Sequence, residues 1–422
     1  MLSLLLLAPA FTDMLTRRAT HSAVARAGSI RAGPLFRREM RIPKSLYFFQ
    51  NGANPLSKDT SILDGQGHVT AIHLASGQVS ELHIPAPRVR VSLRDIVKRN
   101  LLPCLLNGIF CLSAVHTGTA NTAVIKTTHG VVAVEEASKP FLLDMRDGKI
   151  TSGRWLFNTH PMGVHPDGGH MFSYMPYRAK WPLSIDGKPI PWHSQNLPIM
   201  IHSIACVQDV VAVPLVSARI GSFMNYLFGR SSIPIQETHN FQWLLYNTTT
   251  GHACVVDTPF VSNVLHIVQL QMDDSENLLH IYACHVRNLS KVVQLTHLNE
   301  VHPEFEFRKD TIRLNTGQIV CSKVFPEASG DFPNSIDDRT VLINSLNGDK
   351  SNVIIFDTVE DRVVHRVSLP RATDVLYYQN HLLYCTLDEF RMYDMLSDEI
   401  VYNISIPPRI SNFHASLLDL EI

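Results

Sequence analysis

Histidine is the residue type with the clearest chemical potential in this chain, which carries 21 of them. A neutral imidazole nitrogen is a good ligand for a ferrous ion, and the sequence shows no cluster of thiolates or carboxylates typical of a zinc finger or a calcium cage. Four histidines are separated by 42, 64 and 148 residues: His160, His202, His266 and His414. Neither a helix nor a hairpin could gather them, so a shared site requires strands that all pass near one axis. Spacing alone does not distinguish these four from the other seventeen.

Repeated hairpins predict such an architecture. Five segments place a polar turn between two runs of alternating apolar and polar residues: 71–84, 140–153, 243–257, 352–369 and 390–406. This alternation is a hairpin signal, and five similar hairpins in one chain predict an all-β repeat. Dividing the roughly 378 residues after the N-terminal segment by seven gives about 54 per repeat, close to the longer β-propeller blades. An array of β-sandwiches is the alternative.

Composition excludes some classes of function. Lys and Arg number 37 against 38 Asp and Glu, so no broad basic field for nucleic acid is indicated. Charged residues are 18% and hydrophobic residues 45% of the chain, which favours a large interior or an apolar surface suited to an apolar ligand. The seven cysteines are scattered and include no C-x-x-C pair. They indicate neither a zinc ribbon nor a disulfide framework, and they favour a reducing compartment.

Residues 1–44 differ from the rest of the chain. A short apolar run is followed by an Arg-rich stretch in which Asp13 and Glu39 are the acidic residues. This composition resembles an organellar transit peptide, and Ala-Pro-Ala-Phe at 8–11 resembles the cleavage motif of plastid presequences in algae with complex plastids. We therefore predict a plastid location, with mitochondrion or cytoplasm as alternatives, and assign residues 45–422 to the propeller. A disordered N-terminus without a targeting role is the other interpretation.

One segment, residues 93–112, breaks the hairpin pattern. Its first half has helical spacing and carries Arg94, Lys98 and Arg99, while its second half is almost entirely apolar. Such a segment fits peripheral contact with a membrane surface, and it equally fits a helix packed over the propeller. Residues 223–228 are a second candidate for membrane contact. No segment has the length and hydrophobicity of a membrane-spanning helix.

The order of short motifs resembles the carotenoid cleavage oxygenases, the family of the plant and algal carotenoid dioxygenases and the retinal pigment isomerase. N-G-A-N-P at 51–55 and L-D-G-Q-G-H-V at 63–69 are similar to the family's opening motifs N-G-P-N-P and F-D-G-D-G-M-V. G-T-A-N-T-A-V-I at 118–125 is close to identical to the family pattern. Further stretches follow in family order: 131–140, 159–161, 201–205, 265–269, 314–318, 331–333 and 406–414. The resemblance covers residues 51–420.

The resemblance implies a seven-bladed β-propeller with Fe(II) on its axis and a small helical dome over the metal-bearing face. It implies that four histidines bind the iron: His160, His202, His266 and His414. Four neutral ligands leave the ion its full positive charge and two open positions, which could take dioxygen and substrate. Thr122 aligns with a small residue whose methyl group crowds one open position in relatives. A β-branched strand residue with no such role is the alternative.

The family orients its ligand imidazoles with three glutamates, since a ligating histidine needs its second nitrogen held. Glu136 matches the first glutamate. Asp331 stands at the second position and Asp374 is the carboxylate available near the third, so both are shorter than the family's residue. A shorter carboxylate would have to sit closer or act through a water. Glu135 and Glu327 are nearby alternatives.

Two further departures concern residues that follow the ligands. Ser203 stands after His202 where the family commonly has Asp. After His266 the family has an acidic pair, whereas this chain continues with Gln269, Leu270 and Gln271.

The implied reaction is oxidative scission of a conjugated double bond in a carotenoid or apocarotenoid, with dioxygen, to two carbonyl products. The alternatives are an iron-bearing isomerase and a non-catalytic propeller that binds a pigment or a protein. Aromatic and methionine side chains after the first ligand could line a substrate tunnel or could belong to the blade core: Phe157, Met162, Met171, Phe172, Tyr174, Met175 and Tyr177.

Overall fold

The structure is a computed structural model. It describes residues 29–30, 42–54, 66–84, 120–135, 139–156, 162–163, 167, 169–175, 181–192, 198, 200–220, 235–237, 239–289, 292, 304–347, 350–370, 372, 374–409 and 411–420. Within these ranges the regular elements are strands and one short 3-10 helix, Pro326–Ala328. No helix in the described part of the chain is long and apolar enough to cross a membrane. The segments 93–112 and 223–228, and almost all of residues 1–44, lie outside the described residues, so the predicted helical dome, membrane contact and transit peptide stay predictions.

Antiparallel sheets follow one another along the chain as the blades of a seven-bladed propeller. Blade 1 contains β1 (Ser29–Ile30), β2 (Leu46–Gln50), β3 (Ala53–Asn54), β4 (Gln66–His73) and β5 (Gln78–His83). Blade 2 contains β6 (Ala123–Thr127), β7 (Gly130–Val134), β8 (Phe141–Arg146) and β9 (Lys149–Trp155). The described strands of blade 3 are β10 (Phe172–Tyr174), β11 (Leu183–Ile185) and β12 (Lys188–Pro189). Blade 4 contains β13 (Ala205–Val207) and β14 (Val210–Leu215), then a separate hairpin of β15 (Ala218–Ile220) and β16 (Ile235–Glu237), then β17 (Gln242–Asn247) and β18 (Ala253–Asp257).

The remaining three blades each have four strands in sequence order. Blade 5 contains β19 (Asn263–Asp273), β20 (Leu278–Val286), β21 (Phe305–Arg313) and β22 (Gln318–Phe325). Blade 6 contains β23 (Asp331–Ser335), β24 (Thr340–Asn347), β25 (Lys350–Asp357) and β26 (Arg362–Pro370). Blade 7 contains β27 (Val375–Tyr378), β28 (His381–Cys385), β29 (Glu389–Asp394) and β30 (Glu399–Ser405).

The last strand, β31 (Ala415–Asp419), closes the ring. It pairs with β2 and becomes the innermost strand of blade 1, with Ala415 opposite Gln50. The innermost strands contact one another in the order β13, β19, β23, β27, β31 and β6. They therefore surround one axis, which is the arrangement that the widely spaced histidines required.

All five predicted hairpins are present, and each joins the outer strands of a blade: β4–β5, β8–β9, β17–β18, β25–β26 and β29–β30. The outermost strand of each hairpin is its more exposed one. The five residues of β2 are all buried, whereas most residues of the outermost strands β26 and β30 are exposed. The array of β-sandwiches is therefore wrong.

Turn chemistry supports the tight hairpins. β8 and β9 are joined by Asp147 and Gly148, which both have positive φ, at +47° and +79°. Two consecutive residues with positive φ form the primed turn that matches the right-handed twist of paired strands, and Asp-Gly is a preferred pair there. The Asp186–Gly187 connection between β11 and β12 has the same form, with φ of +50° and +74°.

Candidate metal centre

The first residues of the inner strands meet at one end of the axis. His202 lies shortly before β13, His266 is the fourth residue of β19, and His414 directly precedes β31. Asp331 opens β23 and Asp374 directly precedes β27. The propeller therefore gathers five of the predicted site residues, although the chain separates the first and the last of them by 212 residues.

Three imidazole rings converge there. The Nε2 atoms are 3.1 Å apart between His202 and His266, 3.3 Å between His202 and His414, and 3.4 Å between His266 and His414. These residues are 7%, 5% and 4% exposed. His160 lies outside the described residues, so its place as the fourth ligand stays a prediction.

The three rings fit a divalent transition-metal ion. With metal–nitrogen bonds of about 2.0–2.1 Å, neighbouring ligand nitrogens stand about 2.9–3.4 Å apart, which covers all three observed separations. Converging imidazole nitrogens in a buried space also need a cation or a proton between them, since facing lone pairs repel. His202, His266 and His414 form a group that could hold a metal ion.

Asp331 fixes the ring of His266. Nδ1 of His266 donates to Oδ1 of Asp331 at 2.5 Å, so its Nε2 keeps a lone pair toward the centre. The shorter side chain of Asp331 therefore reaches His266 directly, by lying closer to it, and not through a water. Burial raises the pKa of Asp331 to about 7, and the hydrogen bond from the Phe332 amide acts in the opposite direction.

Asp374 acts mainly on the backbone beside His414. Its Oδ2 accepts from the Ala415 amide at 2.8 Å but lies 3.5 Å from Nδ1 of His414, beyond ordinary hydrogen-bond length. Its Oδ1 accepts from Nδ2 of Asn334 at 3.0 Å. Burial raises the pKa of Asp374 to about 7. The aspartate therefore holds the start of β31 in place more directly than it holds the imidazole ring.

Asn334 links Asp374 to the strand that carries Asp331, and no pattern in the sequence indicated it. It lies on the same strand as Asp331 and also donates from Nδ2 to the Val375 carbonyl at 2.9 Å. In a regular strand, residues three apart point to opposite faces. Here the register of β23 shifts between Asp331 and Asn334, and Phe332 has φ of +49°. Asp331 can therefore contact His266 while Asn334 contacts Asp374.

Phe332 was also missed. Its ring centroid lies 5.5 Å from the ring of His266 and 5.2 Å from the ring of His414. Positive φ is unusual for a bulky residue and marks a position that the surrounding structure determines. The turn that advances Asp331 therefore also places an aromatic ring against two ligands.

Ser203 provides a structural role at the position where the family commonly has Asp. Its Oγ donates to the Leu265 carbonyl at 2.8 Å and accepts from the Ile267 amide at 3.1 Å. These groups flank His266, where the pairing register of β19 shifts on both sides. Ser203 thus joins the segment of one ligand to the bulged strand of another.

Two early motifs hold the segment of His414. The Asn51 amide donates to the His414 carbonyl at 3.1 Å, and the Phe413 amide donates to the Asn51 carbonyl at 2.8 Å. The carbonyl of Thr122 accepts from the His414 amide at 3.2 Å, and Thr122 is 9% exposed. Thr122 thus lies beside a ligand, while the crowding of an open position by its methyl group stays a prediction.

The structure describes only some of the remaining predicted residues. Glu136 lies outside the described residues, and Glu327 is exposed on the 3-10 helix, where its backbone carbonyl accepts from Arg366. Glu135 is partly buried. Phe157 and Tyr177 lie outside the described residues. Met175 is buried, and four other predicted tunnel side chains pack in or beside blade cores, which favours the core interpretation: Met162, Met171, Phe172 and Tyr174.

Comparison with known proteins establishes the fold. No family model and no curated protein matches the chain. A variant of the Synechocystis apocarotenoid oxygenase superposes with a TM-score of 0.67 at 12% identity, covering 97% of this chain and 99% of that one. The cobalt-substituted form of that oxygenase gives 0.66 at 12% identity, with 97% and 99% covered. A chimera of it with RPE65 gives 0.64 at 13% identity, with 97% and 98% covered. The predicted carotenoid cleavage oxygenase-like fold is confirmed.

Proposed function

We propose that the chain is an Fe(II)-dependent dioxygenase that cleaves a conjugated double bond of a carotenoid or apocarotenoid to two carbonyl products. The observation that carries this proposal is the convergence of three buried imidazoles on the axis of an apocarotenoid-oxygenase fold. Bound Fe(II) would make dioxygen reactive toward an electron-rich polyene.

The residues of the centre have distinct parts in this proposal. His202, His266 and His414 would hold the ion, and His160 is the proposed fourth ligand. Because all four are neutral, they would leave the positive charge of the ion unchanged. Asp331 keeps the ring of His266 in the tautomer that can ligate a metal.

The conjugated hydrocarbon chain of a polyene forms no hydrogen bonds, so its binding depends on apolar burial, at about 25 cal/mol per Å². The rim of the centre supports this part of the proposal. Phe332 packs against two of the ligand rings, and Thr122 contacts the third ligand through its backbone. In this proposal both side chains would border the reacting bond and restrict how the polyene approaches.

The test is cleavage of polyenes by purified protein loaded with Fe(II), together with iron content and product analysis. Expression in a carotenoid-accumulating bacterium, scored by colour loss, identifies the substrate class first. We expect stoichiometric iron and aldehyde or ketone products from the unaltered chain. His266→Ala should lose both iron and cleavage, while His252→Ala, at an exposed turn, should keep both.

The outcomes separate the alternatives. Retention of iron by His266→Ala would refute the assignment of the centre. Stoichiometric iron without cleavage of any polyene, but with altered double-bond geometry, would indicate an isomerase. A chain that binds no iron would indicate a propeller that binds a pigment or a protein.

The cellular location is a separate proposal. We propose that residues 1–44 direct the chain to a plastid, on the strength of their Arg-rich composition, and that residues 93–112 make peripheral membrane contact. Fusion of residues 1–44 to a fluorescent protein in plastid-bearing cells tests the first part. Flotation with lipid vesicles, for the full chain and for a variant with Arg94, Lys98 and Arg99 changed to Glu, tests the second.

A further inference from the structure

A second group of potential metal ligands lies in blade 1. His68 on β4 stands directly opposite His83 on β5, and Glu81 is two residues before His83 on the same face of β5. Nε2 of His68 is 2.9 Å from Oε2 of Glu81, and the two imidazole rings stack with centroids 4.0 Å apart. One ligand atom from each residue lies within 4.8 Å of the others. None of the three belongs to the axial centre.

We propose that His68, Glu81 and His83 bind a divalent transition-metal ion of the Zn²⁺ class. Two imidazoles and one carboxylate are a donor set that zinc uses in proteins, with a fourth position left for water. A pair of adjacent antiparallel strands provides the rigid base that such a site needs. The proposal is independent of the reaction assigned to the axial centre.

Hydrogen bonding sets the starting tautomer of the site. His68 is 3% exposed, and its Nε2 lies 2.9 Å from Oε2 of Glu81. Because a carboxylate only accepts, the ring proton of His68 is on Nε2, and metal binding there would move it to Nδ1.

The three proposed ligands differ in how they are held. His68 is held through its backbone, since its amide donates to the Gly52 carbonyl at 2.8 Å and its carbonyl accepts from the Arg409 guanidinium. Zinc ligands stand about 3.3 Å apart at bond lengths of about 2.0–2.1 Å, so the group must contract slightly. The partly buried His83 would supply this movement by turning out of the stack.

Arg409 sets a limit on affinity. Its guanidinium is buried and also donates to Oγ1 of Thr70, and its charge opposes a second cation nearby. Glu81 offsets this charge, which makes the carboxylate indispensable to the site. We therefore expect complete loss of zinc binding at this site with Glu81→Gln.

The register places this site at the same end of blade 1 as His414. Ala415 is opposite Gln50, Gln50 is opposite Thr70, and Thr70 is opposite Glu81. With strands about 4.8 Å apart, His68 and His83 are roughly 10 and 14 Å across the sheet from the start of β31. The two sites are near each other but separate, so each can be emptied without the other.

Equilibrium dialysis of the full chain, first stripped of bound metal with a chelator, against saturating Zn²⁺, with metal counted by mass spectrometry, tests the proposal. We expect two zinc ions per unaltered chain, one for His83→Ala, one for Glu81→Gln and one for His202→Ala. His73→Ala is the matched control and should bind two. His73 lies at the other end of β4, with its ring bonded to Ser76 and to the Lys44 carbonyl.

The zinc contents of the variants distinguish the two sites. One zinc ion in both the unaltered chain and His83→Ala would overturn the proposal and leave the axial centre intact. Equal zinc content in the unaltered chain and His202→Ala would count against the axial centre alone. Zinc that binds the unaltered chain and Glu81→Gln equally would also overturn the proposal. His83 and Glu81 are only partly buried, so these variants are expected to fold, and thermal unfolding in the absence of metal checks this.

Discussion

Replacing Asp331 by Ala tests how the axial centre is held. The substitution removes the acceptor 2.5 Å from Nδ1 of His266 and leaves that N–H in a site where both partners are almost fully buried. Loss of the group that orients a ligating imidazole reduces metal affinity by about 10- to 100-fold, which corresponds to roughly 1.4–2.7 kcal/mol. The short, buried contact puts the expectation at the upper end of this range.

Metal affinity is measured directly, by competition with a chelator, on the full chain and on Asp331→Ala. Asp274→Ala serves as the control, since Asp274 is exposed and accepts one long hydrogen bond, from Gln208 at 3.4 Å. We expect no change in the control. A dissociation constant for Asp331→Ala within a factor of three of the unaltered chain would refute the reasoning. Asp331→Glu, which restores the family's residue, would then show whether length rather than charge matters.

Three further predictions follow from the same structure. Asn334→Ala removes two hydrogen bonds at the start of β27 and should lower metal affinity several-fold and stability by about 1–3 kcal/mol, measured by chelator competition and urea unfolding. Gly52→Ala should reduce stability by about 1–3 kcal/mol, because a Cβ would clash with the Ser411 carbonyl; unchanged urea unfolding would contradict this. Burial holds the pKa of His285 well below 6.5, so the folded state disfavours its protonation. Stability should fall as the pH drops below about 6.5, by up to about 1.4 kcal/mol per pH unit, and His285→Gln should remove that part of the slope.

The outer hairpins were predictable because their outermost strands are partly exposed, so that buried and exposed residues alternate along them. In β26, buried Val367 and Leu369 alternate with exposed Arg366, Ser368 and Pro370. The inner strands carry no such signal. β2 is buried throughout, and the described β10 and β13 are only three residues long, so periodicity could not reveal them.

The order of motifs in the sequence predicted the positions of the ligands. It did not predict the contacts that hold those ligands in place. The sequence indicated that two carboxylates are too short by one methylene group. It could not indicate that a register shift and the positive φ of Phe332 advance Asp331 into direct contact. Nor could it reveal Asn334, because strand alternation places it on the wrong face.

The sequence by itself determined the repeat, because local alternation is written along the chain, and its order of motifs predicted the histidine set and the carboxylates available to it. The tertiary structure decided which of these groups touch. Pairing of β31 with β2 closes the ring and brings His414 to His202 and His266. Irregular strand pairing in β19 and β23 sets the final distances between the side chains of the site. Those distances depend on contacts between blades far apart in sequence, which no local pattern encodes.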